Sequence, residues 1–588
     1  MSGSLKRLWS DLEDSTYLPR KRIHDALVQL LGFRDQSPPL RSANWPGRLP
    51  DDILFNIFSL VIEDFFSQPD ALFTSEVVPQ LALGRVCRQW RLALRDLRSA
   101  WTSIPAGMSP PLVVSSYYHS RGLPLRTGVQ FTLPDLCLTG PWSRVRLQNE
   151  LLSQFDTKFS LPTEILKGKA VDFRSVQELA IEVSSYVLSE LGAQMLWRKR
   201  TFPNIDTLHL ALHASTSELE RLPTNLQHLY RRNGHATFYN FSWTRLFPSL
   251  RKLRLDGVEL SDWSLSLPPG LRQLELTLMS DDQRDVLGIA PANARSLAFL
   301  FHDLTSLPSL EKLSVDFDGL SLKTSVQQTD QALLSTLSSL KEVNLTAFSP
   351  YPLYLISCAN LPTLRRCSMN LRYHNYPSFG ATADKLNDVF FNFIRQLASV
   401  GVHLRSVYVG HHGCPSSLRS AVSIMASTEL LDWTDSSAVR AFYENANLKC
   451  TVSWDPDMHA SDSTIANAFL SALLCSIPAH VSDTHPIHSL AFSDDGSLCS
   501  YFCSETLLMH MPCLHTLVCY GSDEQLVKAL RGSRDVQHLK TFVTEGPVEL
   551  EKTSPPRYDL GISGEPVQVK FVGAEPGRIL RDAVMKAM

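Results

Sequence analysis

No window of the 588-residue chain approaches the roughly 18 consecutive apolar residues of a membrane span. The first residues, MSGSLKRLWSDLEDS, lack an apolar core of signal-peptide length and carry acids early, so nothing there directs secretion. The 11 cysteines are scattered, without the dense even framework of a small secreted domain. A reducing compartment, cytosol or nucleus, is expected. The formal net charge is only -3, which gives no general pull toward nucleic acid or an anionic membrane; neither is expected as a partner. Walker A, GxSxG and GxGxxG motifs are absent.

Three further signals are weak. Cys499, Cys503, His510, Cys513, His515 and Cys519 crowd together, but only Cys499-x3-Cys503 has zinc-knuckle spacing, and Leu514, Leu517 and Cys519 fit a strand. His411-His412-Gly413-Cys414 reads as a loop without an orienting third group for a nucleophile. HSLAFSDDGSL at 488–498 resembles part of a propeller blade but occurs once, so a hairpin turn at Asp494-Asp495-Gly496 is expected. No catalytic residue, cofactor or metal is assigned.

What the chain does have is size and ordinary globular composition, 44% hydrophobic and 20% charged, enough for more than one core. Residues 1–33 hold two apolar helical stripes, Leu5-Leu8-Leu12 and Ile23-Leu27-Leu30-Leu31. A Pro-, Ser- and Arg-rich linker covers 34–48. A helical block spans 49–104, and a connecting region with prolines 105, 110 and 111 runs to 170.

From 171 to 545 one pattern recurs: leucine, two variable residues, leucine, one variable residue, apolar. It stands at Val176-Leu179-Ile181, Ile205-Leu208-Leu210, Leu250-Leu253-Leu255, Leu271-Leu274-Leu276 and Leu310-Leu313-Val315. It continues at Leu340-Val343-Leu345, Leu364-Cys367-Met369, Leu404-Val407-Val409 and Leu514-Leu517-Cys519. The pattern predicts a short strand whose fourth and sixth residues point inward. First leucines lie 21, 30 and 24 residues apart at 250–271, 310–340 and 340–364, against about 20–29 for leucine-rich repeats. The family's turn asparagine is missing: Val258, Asp318, Phe348 or Ser522 stands there. The same motifs also fit ordinary strands of another α/β fold. Residues 411–486 lack a clean unit, and 546–588 read as a Pro/Gly-rich tail with a strand at 567–572 and a final short helix.

The helical block carries the sharpest pattern. Pro50 suits a first helical turn, and Asp51 and Asp52 suit the positive end of the helix dipole. Ile53, Leu54, Ile57, Phe58, Val61 and Ile62 recur at helical spacing. Val86, Cys87, Trp90, Ala93, Leu94 and Leu97 fall on one arc of a second helix, with Arg85, Arg88, Arg91, Arg95 and Arg98 opposite, a face read as solvated. Ser99 is placed to cap a turn that buries Trp101 and Ile104.

Leu49-Pro50, Ile53 to Phe58, Val86-Cys87-Arg88-Gln89-Trp90 and Trp101-Thr102-Ser103-Ile104 stand in the order of the F-box family, which this tenth of the chain resembles. The link Ser59–Gln80, with Phe65, Phe66, Leu72, Phe73, Val77 and Val78, is longer than the short form and looks like that of many fungal members. The resemblance implies an α/β chain: a small all-α N-terminal F-box, then an irregular leucine-rich-repeat-like solenoid. It implies a non-catalytic substrate receptor that binds a Skp-type adaptor and, through it, a cullin–RING ubiquitin ligase, and holds an unknown target protein. The alternative is a ligase-independent scaffold. Adaptor contacts are expected among Leu49, Pro50, Ile53, Leu54, Ile57, Val86, Cys87, Trp90 and Trp101.

Overall fold

The computed structural model describes residues 49–68, 71–73, 78–108, 110–120, 122–130, 149, 176–184, 202–213, 243–258, 267–279, 300, 302–317, 337–373, 379–414, 419–454, 468–469, 487–494, 513–521, 539–545, 568–572 and 575–587. The expected stripes at 5–33 and the linker at 34–48 lie outside these residues. The chain is mixed α/β and divides into two compact units: residues 1–211 with 246–249, and the remainder. Among the described residues no helix is long and apolar enough to cross a membrane.

The first unit opens with helix α1 (Asp51–Phe66), then α2 (Pro79–Gly84), α3 (Arg88–Asp96) and a 3-10 turn (Arg98–Trp101). The chain then passes through β1 (Ser103–Ile104), α4 (Pro110–Ser120), β2 (Leu125–Gln130), β3 (Val176–Ser184) and β4 (Thr207–His213), and the strands stand in that order. β1 and β2, and β2 and β3, are parallel. β1 and β2 fall where no repeat was read.

Helical block and strands share one core. Leu54, Ile57, Phe58, Ile62, Phe66, Leu83, Trp90, Ala93 and Leu94 pack with Leu72, Phe73 and Ala180, the last from β3. Phe58 meets Trp90 edge-on at 5.1 Å. The described part of the long link is therefore packed into the core. Its first part extends α1 to Phe66, and Leu72 and Phe73 return to the core, Phe73 beside His209 of β4 at 5.0 Å. Arg126 of β2 grips both carboxylate oxygens of Glu178 on β3, at 2.7 and 3.0 Å, and donates to the Phe66 carbonyl at 3.2 Å. A cation thus meets the negative end of α1.

The second unit builds β5 (Lys252–Val258), β6 (Gln273–Leu278), β7 (Lys312–Phe317), β8 (Glu342–Ala347) and β9 (Arg366–Tyr373) as successive parallel neighbours. Burial alternates strictly in β6, β7 and β8, with leucine, valine, phenylalanine or alanine inside and polar residues half-buried outside.

The succession then breaks. Helices α5 (Pro350–Ser357) and α6 (Phe379–Ser399) flank β9, and Gln396 of α6 donates to the carbonyls of Ser357 and Ala359, each at 2.8 Å. β10 (Ser406–Cys414), β11 (Arg419–Ser427) and β12 (Leu448–Trp454) fold as an antiparallel meander, which inserts so that the order is β9-β12-β11-β10. Parallel pairing resumes through β13 (Ser489–Asp494), β14 (Thr516–Gly521), β15 (Thr541–Glu545) and β16 (Gln568–Val572).

In β10 to β13 the described residues are buried on both faces of the sheet, apart from half-buried Lys449. Helices α7 (Ser436–Asn445) and α8 (Glu575–Ala587) lay Val439, Phe442 and Leu580 onto Tyr408, Ala421, Met425, Ala491, Val518, Tyr520 and Val543. Trp433 anchors this layer: its indole N–H donates to Ser489 Oγ at 2.6 Å, and its carbonyl accepts from the Tyr520 hydroxyl at 2.9 Å.

Two expectations need correction. β13 has parallel neighbours on both sides, so neither is the antiparallel partner that a hairpin at Asp494 calls for; Asp495 and Gly496 lie outside the described residues. His411 lies on strand β10, buried and stacked on Trp454 at 6.1 Å, not in a loop. The strand expected at 567–572 and the final helix are present as β16, which pairs with β15, and α8.

Candidate protein-docking site

The helical block holds all nine expected contact residues. α1 begins one residue later than Pro50 suggested: Pro50 is the half-in flanking residue (φ -56°, ψ 148°), and its carbonyl accepts from Leu54 N at 3.1 Å. No side chain caps that end, while Asp51 and Asp52 fill the first turn.

α3 begins at Arg88, so Val86 and Cys87 precede the helix instead of lying on its apolar arc. The reason is the cap: extended Cys87 turns its Sγ to accept from Trp90 N at 3.5 Å. The turn before it is fastened by Arg91, whose Nε donates to the Gly84 carbonyl at 3.0 Å. Ser99 does not cap the following turn with its side chain. Its carbonyl accepts from Thr102, from the backbone N at 3.3 Å and from Oγ1 at 2.9 Å.

The nine expected contact residues divide into three groups. Leu54, Ile57 and Trp90 are buried in the core, so they shape the surface without forming it. Leu49, Ile53, Cys87 and Trp101 are half-buried against that core, and the Trp101 indole N–H donates to the Leu94 carbonyl at 2.9 Å. Pro50 and Val86 are exposed, Val86 at 48%.

Gln89 sits three residues after Val86 and bonds both chain neighbours of Pro50. From the first turn of α3 its Nε2 reaches the Leu49 carbonyl at 2.8 Å and Asp51 Oδ1 at 3.2 Å. The entry to α1 is thereby fixed beside the start of α3. One turn along α3 from Gln89, Leu92 is 41% exposed; on α1, Leu60 follows Ile53 by two turns and is 49% exposed. Sequence reasoning missed Leu60 and Leu92. Leu60 extends the apolar stripe of α1 and Leu92 stands on the arginine arc of α3, signals available from spacing alone. Arg85, Arg88, Arg91, Arg95 and Arg98 are all exposed.

The arrangement offers an apolar corner with an arginine-rich flank. Among the described residues no group of three or more His, Cys, Asp or Glu is placed to hold a metal ion. The most perturbed thiols are far from this corner in sequence, on β9 and β12: burial pushes Cys450 up to about 12, and burial with the nearby Cys450 pushes Cys367 up as well. Both behave as small core residues. Of the Cys/His cluster at 499–519, Cys499, Cys503 and His510 lie outside the described residues.

No protein-family model matches the chain, and no curated protein matches it significantly.

Proposed function

We propose that this chain is the substrate-recognition subunit of a Skp–cullin–F-box ubiquitin ligase. The helical block of the first unit is its F-box and docks the Skp-type adaptor. The second unit is an irregular leucine-rich-repeat-like array that holds a target protein. One observation carries the reading: Gln89 ties the start of α3 to the entry of α1 through the Leu49 carbonyl and Asp51, and the exposed apolar residues Pro50, Val86 and Leu92 lie within three residues of that tie along the chain. A cluster of exposed apolar side chains points to a protein partner.

The second unit supports the receptor half of the reading. Its strands follow in chain order from β5 to β9, each burying only alternate residues, so each unit needs its neighbour to complete a core. Such a receptor performs no bond chemistry. It raises the effective concentration of the target's lysines near a ubiquitin-charged enzyme.

The test is affinity capture of the tagged full chain with neddylation blocked, followed by mass spectrometry. The reading expects adaptor and cullin together. Adaptor without cullin favours a ligase-independent scaffold, and neither removes the proposal.

A further inference from the structure

The rim where the strands of the second unit begin is built from one repeated position, the residue after the first leucine of each unit. Arg251, Arg272, Glu311, Lys341 and Arg365 occupy it in β5 to β9. Their backbones form a ladder: Arg272 N donates to Arg251 O at 2.8 Å, Glu311 N to Arg272 O at 2.7 Å, Lys341 N to Glu311 O at 2.8 Å and Arg365 N to Lys341 O at 2.8 Å. The next row, one residue further along each strand, is Lys252, Gln273, Lys312, Glu342 and Arg366. The two rows hold seven basic residues against two acidic ones, in a chain whose formal net charge is -3.

The two acids are already engaged, Glu311 with Lys341 at 3.3 Å and Glu342 with Lys312 at 3.0 Å. Arg251, Arg272 and Arg365 are exposed, and none has an ion-pair partner among the described residues. Gly270, Ser309, Ser339 and Thr363, which precede the leucines, are small and uncharged, so they neither neutralise the rim nor cover it. Neighbouring strands lie about 4.8 Å apart, so the arginines span about 19 Å from β5 to β9.

We infer that this rim docks an extended acidic segment, a run of aspartate and glutamate, on the protein held by the second unit. Charge spread over five strands matches several singly charged groups in a row. A lone phosphate would meet no more than two of the cations. Single-stranded nucleic acid is disfavoured because such platforms pair cations with aromatic rings, and neither row contains Phe, Tyr or Trp. The inference rests on the reading of the second unit as the part that holds a partner.

The experiment uses the purified full chain without the adaptor, so its failure leaves the adaptor contact untouched. A fluorescein-labelled peptide of twelve alternating Asp and Glu is titrated by anisotropy, alongside its Asn/Gln counterpart and a single-stranded oligonucleotide. The variant combines Arg251→Glu, Arg272→Glu and Arg365→Glu, with the Arg→Gln triple as a milder second variant. The expected result is low-salt binding of the acidic peptide, at least tenfold weaker for the reversed variant, weakened by added salt, and absent for the amide peptide. Undetectable binding, unchanged affinity in both folded variants, or tighter binding of the oligonucleotide overturns the inference.

Discussion

The carbonyl oxygen of Leu72 lies so close to Gly128 that a Cβ at position 128 would stand 1.9 Å from it. The same carbonyl accepts from Ala106 N at 2.9 Å. The long link of the helical block is thus locked, backbone to backbone, onto the segments around β1 and β2. Gly128→Ala is expected to cost about 2–4 kcal/mol, because backbone, not a flexible side chain, must move. Gly270→Ala, where the added Cβ would meet nothing within 4 Å, is the control and should be near neutral. Chemical denaturation of both variants decides this; equal midpoints would contradict the contact.

That lock changes what a fragment can do. The sequence suggests a helical block separable after the prolines that follow Ile104. In the structure, Ser103 and Ile104 pair with β2, and Ala180 of β3 belongs to the block's core. A fragment of residues 49–107 should therefore lack a cooperative thermal transition by circular dichroism, since it loses strands its core requires. A sharp transition in that fragment would show the block to be self-sufficient.

Much of the strand layout is legible in the leucine pattern. All nine motifs read from the sequence become strands, because a parallel strand that buries one face needs apolar residues at alternate positions. β13 and β15 were missed although Ile487-Leu490-Phe492 and Leu539-Phe542-Thr544 keep the spacing; isoleucine, phenylalanine and threonine stand where leucine was sought. β11 and β12 were not legible at all. Both of their faces are buried, by the sheet core on one side and in part by α7 on the other, so Ala421 to Ala426 carries no alternation. At the docking corner, the motif identified the right segment but not which residues face out. Leu54 and Pro50 are equally apolar in sequence, and only the start of α1 at Asp51 separates them.

Leu253 and Arg254 test the strand alternation directly. Leu253 is fully buried, whereas Arg254 is half-exposed and pairs with Asp256 of its own strand at 3.0 Å. Leu253→Asp should cost more than about 3 kcal/mol, because it buries a carboxylate without a partner. Arg254→Asp should cost less than about 1 kcal/mol, as a surface pair contributes little. Comparable melting shifts would contradict the alternation.

Glu342 gives a pH dependence. Burial alone would raise its pKa, but hydrogen bonds from Asn344 and Lys312 and the charges of Lys312 and Arg366 outweigh it and hold it below the ordinary 4.5. A depressed folded-state pKa contributes stability above the unfolded value, and that contribution is lost as pH falls through the folded value. Glu342→Gln should therefore melt lower than the parent at pH 7, and the gap should shrink below about pH 4.5. A gap that stays constant down to pH 3 would exclude this linkage.

The adaptor contact is the centre of the account, and calorimetric titration of the full chain with a purified Skp-type adaptor tests it most directly. The parent chain should bind, and the double variant Val86→Asp with Leu92→Asp should bind at least tenfold more weakly while its melting temperature stays within about 2 °C, because both side chains are exposed. Absence of heat with the parent chain, or unchanged affinity in the folded double variant, would contradict the assignment of this corner as the adaptor site.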